Sequence, residues 1–250
     1  MLNLSIITAT YNASKTLPDC LECIAKQSIQ VEHILIDGAS TDGTMKLLDS
    51  NREQLAHIVS EPDKGIYDAM NKGLKLSSGE VVGILNADDF YPSDNTLEKV
   101  LAVFDNPEIE ACYGDLVYVD GQNPDRVVRF WRSGHFDLNK FYWGWMPPHP
   151  TFFVRRSVYE SFGFFNLDLG SAADYEIMLR FMLKHQLKVA YIPEVLVHMR
   201  TGGVSNMSLR NRLKANQMDR MAWKVNELKP YPWTLIAKPL RKLKQWVVKE

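Results

Sequence analysis

The chain has 250 residues, 46% hydrophobic and 24% charged, which suffices for a substantial core in one large or two small domains. A formal net charge of −1 argues against a general nucleic-acid binder, whose surface carries a basic excess. Three cysteines form no disulfide framework, no basic region precedes Leu2-Asn3-Leu4 as in a secretory leader, and no apolar run approaches the ~18 residues of a membrane span.

Leu4-Ser5-Ile6-Ile7-Thr8 reads as a short strand, broken at Tyr11-Asn12-Ala13. Leu17, Leu21 and Ile24 then recur at helical spacing, with Ser14 or Thr16 as cap, so Cys20 and Cys23 are expected to pack within a helix. Ile34-Leu35-Ile36 predicts a second strand, closed by Asp37-Gly38, and Thr44 to Leu48 a short helix. His57-Ile58-Val59 predicts a third strand, and Tyr67, Met70 and Leu74 mark the next helix. The apolar run Val81–Leu85 reads as a buried parallel strand, and Leu97, Leu101 and Phe104 as a helix behind Asp94-Asn95-Thr96. This alternation implies a parallel sheet with right-handed crossovers up to about residue 105.

The pattern then changes. Ala111-Cys112-Tyr113 predicts one more strand, and Val117–Val119 with Val127–Phe130 an antiparallel ribbon. Residues 141–153 are dense in aromatics and prolines, as in a shaped loop. Tyr175 to Leu183 reads as a helix, and Val189–Ile192 and Val195–His198 as strands. From about Leu209 the chain is helical, interrupted near Pro230 and Pro232. The expected division is one domain, 1–205, and a helical tail, 206–250.

Several polar groups fall at strand or helix ends, where open α/β sheets hold ligands. The foremost is Asn86-Ala87-Asp88-Asp89, directly after the buried strand. Adjacent carboxylates repel unless a cation lies between them, so the pair suits a hard divalent metal bridging to a diphosphate; a solvated turn is the plain alternative. Asp37 reads as an acceptor for a base or ribose, or as a turn acid. Lys64 and the Gly65 amide open a helix and stand ready for an anion or nucleoside, or simply start the helix. Asp174 reads as a general base at a cleft mouth, or as an acid favoured by the helix dipole. His149 and His198 sit at loop edges, and Arg200 with its glycines suits a pyrophosphate. The glycine-rich phosphate loops of nucleotide hydrolases and dinucleotide oxidoreductases do not occur.

In order along the chain come Ser5-Ile6-Ile7-Thr8-Ala9-Thr10-Tyr11-Asn12, Ile36-Asp37-Gly38-Ala39-Ser40-Thr41-Asp42-Gly43-Thr44, Asp63-Lys64-Gly65-Ile66-Tyr67-Asp68-Ala69-Met70-Asn71-Lys72-Gly73 and Leu85-Asn86-Ala87-Asp88-Asp89. Together they resemble the family 2 glycosyltransferases of GT-A fold, and within them bacterial enzymes of capsule, exopolysaccharide and O-antigen assembly. The resemblance implies an α/β fold with a mostly parallel central sheet flanked by helices. It implies that Thr8, Ala9, Tyr11, Asn12, Asp37, Lys64 and Asp88 bind the nucleotide. Asp89, Asp88 and His198 would hold Mn²⁺ or Mg²⁺, and Asp174 would be the catalytic base. Asn86 replaces the first acid of the family's DxD element, and Ala173 replaces the Glu of its Glu-Asp element.

The function so implied is inverting, metal-dependent transfer of a sugar from a nucleotide-sugar, UDP-linked first and GDP-linked second, to a saccharide or lipid-linked acceptor. His149 would face the acceptor, and Trp143 and Trp145 would stack on its rings or pack the core beneath. The basic tail, with Leu240, Leu243, Trp246 and Val247 at helical spacing, suits either an anionic inner-membrane surface or packing on the domain. Reduced thiols imply a cytoplasmic setting, peripheral to the inner membrane where the tail takes the first of these readings, with no nucleic-acid partner. The rival classes are a sugar-nucleotide hydrolase or nucleotidyltransferase, and a non-catalytic sugar-nucleotide-binding module.

Overall fold

Four strands, β1 (Leu4–Thr10), β2 (Glu32–Asp37), β3 (His57–Ser60) and β4 (Val81–Ile84), run parallel in the order β3-β2-β1-β4. The computed structural model describes residues 3–202 and 209–244. Every residue of β1 and β4 is buried, because helices cover both faces of a parallel sheet, and this is why those segments read as continuous apolar runs. Helices α1 (Leu17–Ala25), α2 (Thr44–Ser50) and α3 (Ile66–Leu76) make the crossovers. The chain winds outward from β1 through β2 to β3, then returns to the other side of β1 as β4. That reversal opens a crevice at the carboxyl ends of β1 and β4.

Beyond β4 the sheet becomes mixed. It adds β5 (Asp89–Phe90), β6 (Ala111–Val119), β7 (Val127–Trp131), β8 (Phe153–Arg155) and β9 (Val189–Arg200), with α4 (Thr96–Val103) after β5. The order continues β4-β8-β6-β9-β5, and β7 pairs with β6. The ribbon expected at 117–130 is β6 with β7, antiparallel from Leu116↔Trp131. The strands expected at 189–192 and 195–198 are one strand, β9, which crosses Pro193 by shifting register against β6. β5 and β8 are too short to carry a period of their own, so they went unmarked in the sequence.

The remaining helices are α5 (Leu138–Tyr142), α6 (Arg156–Phe162), α7 (Ala173–Met178), α8 (Leu209–Val225) and α9 (Thr234–Lys244), and α7 runs on into a π-helical turn, Leu179–Lys184. One core layer includes Ile7, Ile34, Tyr113, Phe141, Tyr175 and Trp223; another includes Leu4, Ile6, Cys20, Leu85, Phe104 and Phe153. Cys20 lies fully inside its layer, as expected of a helix-packing thiol. The helices after residue 205 share the first layer. Trp223 of α8 is fully buried and its indole N–H donates to the Tyr175 hydroxyl at 2.9 Å. Asn226 donates to the Glu176 carboxylate at 3.1 Å, and Thr234 to the Tyr142 carbonyl at 2.7 Å. Trp246 and Val247, expected on the apolar face of the tail, lie outside the described residues.

Candidate functional site

Four loops meet at the crevice, one from each parallel strand. Asp37 ends β2 fully buried, and a buried carboxylate needs donors. It has three: the Ser40 amide at 2.9 Å, the Ser60 hydroxyl at 2.7 Å and the Ser40 hydroxyl at 2.5 Å. Asn12 follows β1 in the left-handed region, φ 50°, and its side-chain carbonyl accepts from the Thr41 amide at 2.9 Å. The Asn12 amide donates to the Ser40 hydroxyl at 2.8 Å. Of the two residues expected to touch the nucleotide, Asn12 therefore first ties the β1 loop to the β2 loop, and Asp37 braces the β2 loop on itself and on β3. Thr8 is a correction: its hydroxyl lies in the interior, 3.0 Å from His33 Nε2, because Thr8 sits within β1, before its carboxyl end and in a sheet covered on both faces. Ala9 is buried in the core layer as well.

Tyr11, by contrast, is 65% exposed at the rim. Beside it, Gly38 leaves room that no side chain could share. A Cβ there would stand 2.5 Å from Asp63 Oδ2 and 3.4 Å from the Tyr11 ring. Tyr11, Gly38 and Asp63 thus line one wall together. Asp63 was not singled out in the sequence; an acid after a strand is legible only once its neighbour is known. Its other oxygen accepts from the Gly65 amide at 2.8 Å, and Asp68 accepts from the Lys64 amide at 3.0 Å. The Gly65 amide offered to an anion is therefore already engaged, while the Lys64 side chain is exposed beside the wall.

On the β4 side the two adjacent acids part. Asp89 Cα pairs with Met199 and Phe90 with His198, so Asp89 and His198 project from opposite faces of the β5–β9 ribbon. The Phe90 and His198 rings meet at 5.1 Å on their shared face. Asp89 is fully buried, and burial together with the neighbouring Asp88 charge pushes its carboxyl well up from the ordinary value. The expected metal set Asp88, Asp89 and His198 is corrected accordingly, since one ion cannot join Asp89 to His198 across a sheet. Asp88 is the half-exposed carboxyl, raised by burial and opposed by Arg200. Arg200, expected to meet a pyrophosphate, is itself buried: it donates to the Asp88 carbonyl at 3.1 Å and to the Asp19 carboxylate, fastening this corner to α1.

Asn86 donates to Asp89 at 3.1 Å, while Asn86 Oδ1 and Asp89 Oδ1 are buried with no partner among the described residues. Among the described residues no three His, Cys, Asp or Glu side chains form a metal cage. The half-exposed Asp88 carboxyl fits a hard cation that takes one protein oxygen and completes its shell with phosphates and water.

Asp174 stands in the first turn of α7, half-buried, with Oδ1 accepting from the Tyr175 amide at 2.7 Å. The Tyr67 hydroxyl of α3 faces it; burial first, and then the Asp174 charge, drive that hydroxyl far up. His149 also feels the Asp174 charge, although burial prevails and lowers its imidazole. Tyr67 and His149 flank Phe165 at 5.3 and 5.4 Å. The structure thus gathers His149, Asp174 and Tyr67, the last unmarked in the sequence because its apolar spacing filed it with the core. Tyr118 senses the charges of both Asp89 and Asp174, which puts the two acid groups in one region.

Trp145 is the remaining correction: it is buried, its indole N–H donates to the Ser133 carbonyl at 2.9 Å, and it packs on Phe141 at 5.3 Å. It is core, not a platform for acceptor rings. Trp143, two residues earlier, is exposed and lies beside Trp233.

The chain has counterparts among known proteins. A glycosyltransferase of PGL/p-HBAD biosynthesis in Mycobacterium bovis is 32% identical over 208 residues, 81% of this chain and 78% of that one. Chondroitin synthase of Escherichia coli is 29% identical over 198 residues, 75% of this chain but 28% of the larger protein. Among solved structures, Staphylococcus aureus TarS 1-349 with UDP-GlcNAc matches at TM-score 0.73 and 18% identity, over 94% of this chain and 69% of that one. The chain spans 42% of a longer TarS structure. A Pyrobaculum calidifontis mannosyltransferase with GDP-Man and Mn²⁺ matches at TM-score 0.64 and 19% identity, over 100% of this chain and 76% of that one. These likenesses show the GT-A fold, and the family model for glycosyl transferase family 2 covers residues 5–163, which hold the crevice loops from Tyr11 to Asp88. The chain belongs to glycosyl transferase family 2.

Proposed function

We propose that this chain moves a sugar from a nucleoside-diphosphate donor to a hydroxyl of a saccharide acceptor carried on a lipid, inverting the anomeric carbon, in bacterial surface-glycan synthesis. The observation that carries the reading is the crevice at the β1–β4 reversal, with Tyr11, Gly38 and Asp63 on one wall and Asp88 on the other. The ligands of the solved relatives support a UDP-sugar as first donor and a GDP-sugar as second.

The nucleoside lies against Tyr11 and Gly38, with Lys64 beside the phosphates. Asp88 would hold Mn²⁺ or Mg²⁺ through the donor's diphosphate, and that ion would neutralise charge building on the leaving phosphate. Arg200 keeps the Asp88 backbone in place from behind. Asp174 takes the acceptor hydroxyl proton as the oxygen attacks, and the α7 amide and the Tyr67 hydroxyl orient it. One displacement on the face opposite the leaving group needs one base and no covalent nucleophile.

Calorimetry with UDP-, GDP- and dTDP-sugars, with Mn²⁺ and with EDTA, tests the donor site. Metal-dependent binding of one nucleotide class is expected. Free sugar released at the same rate with and without saccharide acceptors would make the protein a hydrolase, and binding without any turnover would make it a binding module.

A further inference from the structure

Four large apolar side chains stand together on the surface, where the end of α5 meets the segment joining α8 to α9. Trp143 is 55% exposed and lies 5.7 Å from Trp233, which meets Tyr231 at 5.0 Å. Ile236, three residues on, is 63% exposed. Apolar residues scattered singly on a surface need no explanation, but a contiguous aromatic group marks a contact. This one is rigidly mounted. Tyr142 packs against Tyr231 at 4.8 Å and against buried Trp223 at 5.2 Å, and the Ile236 and Ala237 amides both donate to the Trp233 carbonyl. At Gly144, φ 74°, the α9 backbone comes so close that a Cβ would stand 2.3 Å from the Lys238 amide nitrogen.

Charge indicates what covers the face. From Lys229 to Lys249 the sequence holds six lysines and arginines and no Asp or Glu, in a chain of net charge −1. Lys229 and Arg241 are exposed on either side of the aromatic segment. Glu250 follows Lys249 directly, and the acids before the stretch are paired, Asp219 with Lys238 at 2.7 Å and Glu227 with Lys184 at 3.3 Å. Exposed Trp and Tyr rings bordered by cations have the make-up of a membrane interface, where rings sit at head-group level and cations meet anionic lipid. A neutral saccharide would use the rings and leave the cations idle. A second copy in two-fold contact would set like charge against like.

We infer that the face of Trp143, Tyr231, Trp233 and Ile236, bordered by Lys229 and Arg241, docks this protein on an anionic bilayer surface. α9 also reaches the residue after Asp174, since Lys238 Nζ lies 3.5 Å from the Tyr175 ring centroid.

The test is sedimentation of the full chain with vesicles of phosphatidylcholine alone or mixed with phosphatidylglycerol, with no sugar nucleotide present. Salt-sensitive binding to the mixed vesicles is expected. Trp233→Ser with Ile236→Ser should weaken it roughly tenfold, and Lys229→Glu with Arg241→Glu should abolish the preference for anionic lipid, both at an unchanged melting temperature. Absence of binding to either vesicle, or binding that neither double variant alters, would overturn the inference. So would a lipid-free dimer that Trp233→Ser with Ile236→Ser disperses, which would make this face an interface between copies.

Discussion

Asp88 and Asp89 are sequence neighbours with opposite surroundings. Asp89 is fixed in the β5–β9 pairing and sealed among Tyr91, Cys20 and Cys23, whose titrating groups all sense it. Asp88 is half-exposed beyond the end of β4. Asp88→Asn should therefore lower metal-dependent donor affinity at least about tenfold with little change in stability. Asp89→Asn should leave that affinity within about threefold, because Asp89 is fully buried in the β5–β9 pairing whereas Asp88 is half-exposed. Titration calorimetry on both variants decides, and loss confined to Asp89→Asn would reverse the assignment. Asp174→Asn keeps the Tyr175 amide contact but cannot take a proton. Transfer should fall by about 10²–10⁴-fold with donor affinity intact. Equal loss of donor binding would mark Asp174 as structural.

The two C-terminal helices fill the layer behind α7. Trp223 is the largest of the fully buried side chains there, and its N–H reaches the Tyr175 hydroxyl one residue from Asp174. Trp223→Ala should cost about 3–5 kcal/mol in urea unfolding, the range for removing a buried large aromatic. Trp223→Phe should cost much less, losing mainly one hydrogen bond of about 1 kcal/mol. If Trp223→Ala unfolds with unchanged stability, α8 is not part of the cooperative core. The same layer anchors the aromatic face through Tyr142, so that face needs the whole chain to form.

Stability of the whole molecule carries a pH signature from buried imidazoles. Burial pushes His33 from an ordinary 6.5 down to about 4. Between those values the unfolded chain binds a proton that the folded chain refuses. Stability is therefore full above about pH 6.5 and falls as the pH drops toward 4, by of order 3 kcal/mol from this group. His149 and His198 are lowered by burial too and act with the same sign. Urea unfolding at pH 7 and pH 5 should show His33→Gln losing about 2 kcal/mol less than the parent over that interval. Equal losses would mean that His33 is solvated in the native state.

The sequence by itself determined the alternating strands and helices to residue 105, because fully buried parallel strands and one-sided helices leave plain hydrophobic periods. It also determined where chemistry gathers, since strand-end residues such as Asp37 and Asn86–Asp89 follow those periods directly. Only the tertiary structure decided which groups point where. Strand pairing turned Asp89 inward and away from His198, and the α3–α7 approach brought Tyr67 to Asp174 across more than a hundred residues of chain. Gly38 likewise met Asp63 only once β2 and β3 lay side by side. Such contacts depend on pleat, register and crossover, to which a local pattern of residues is blind.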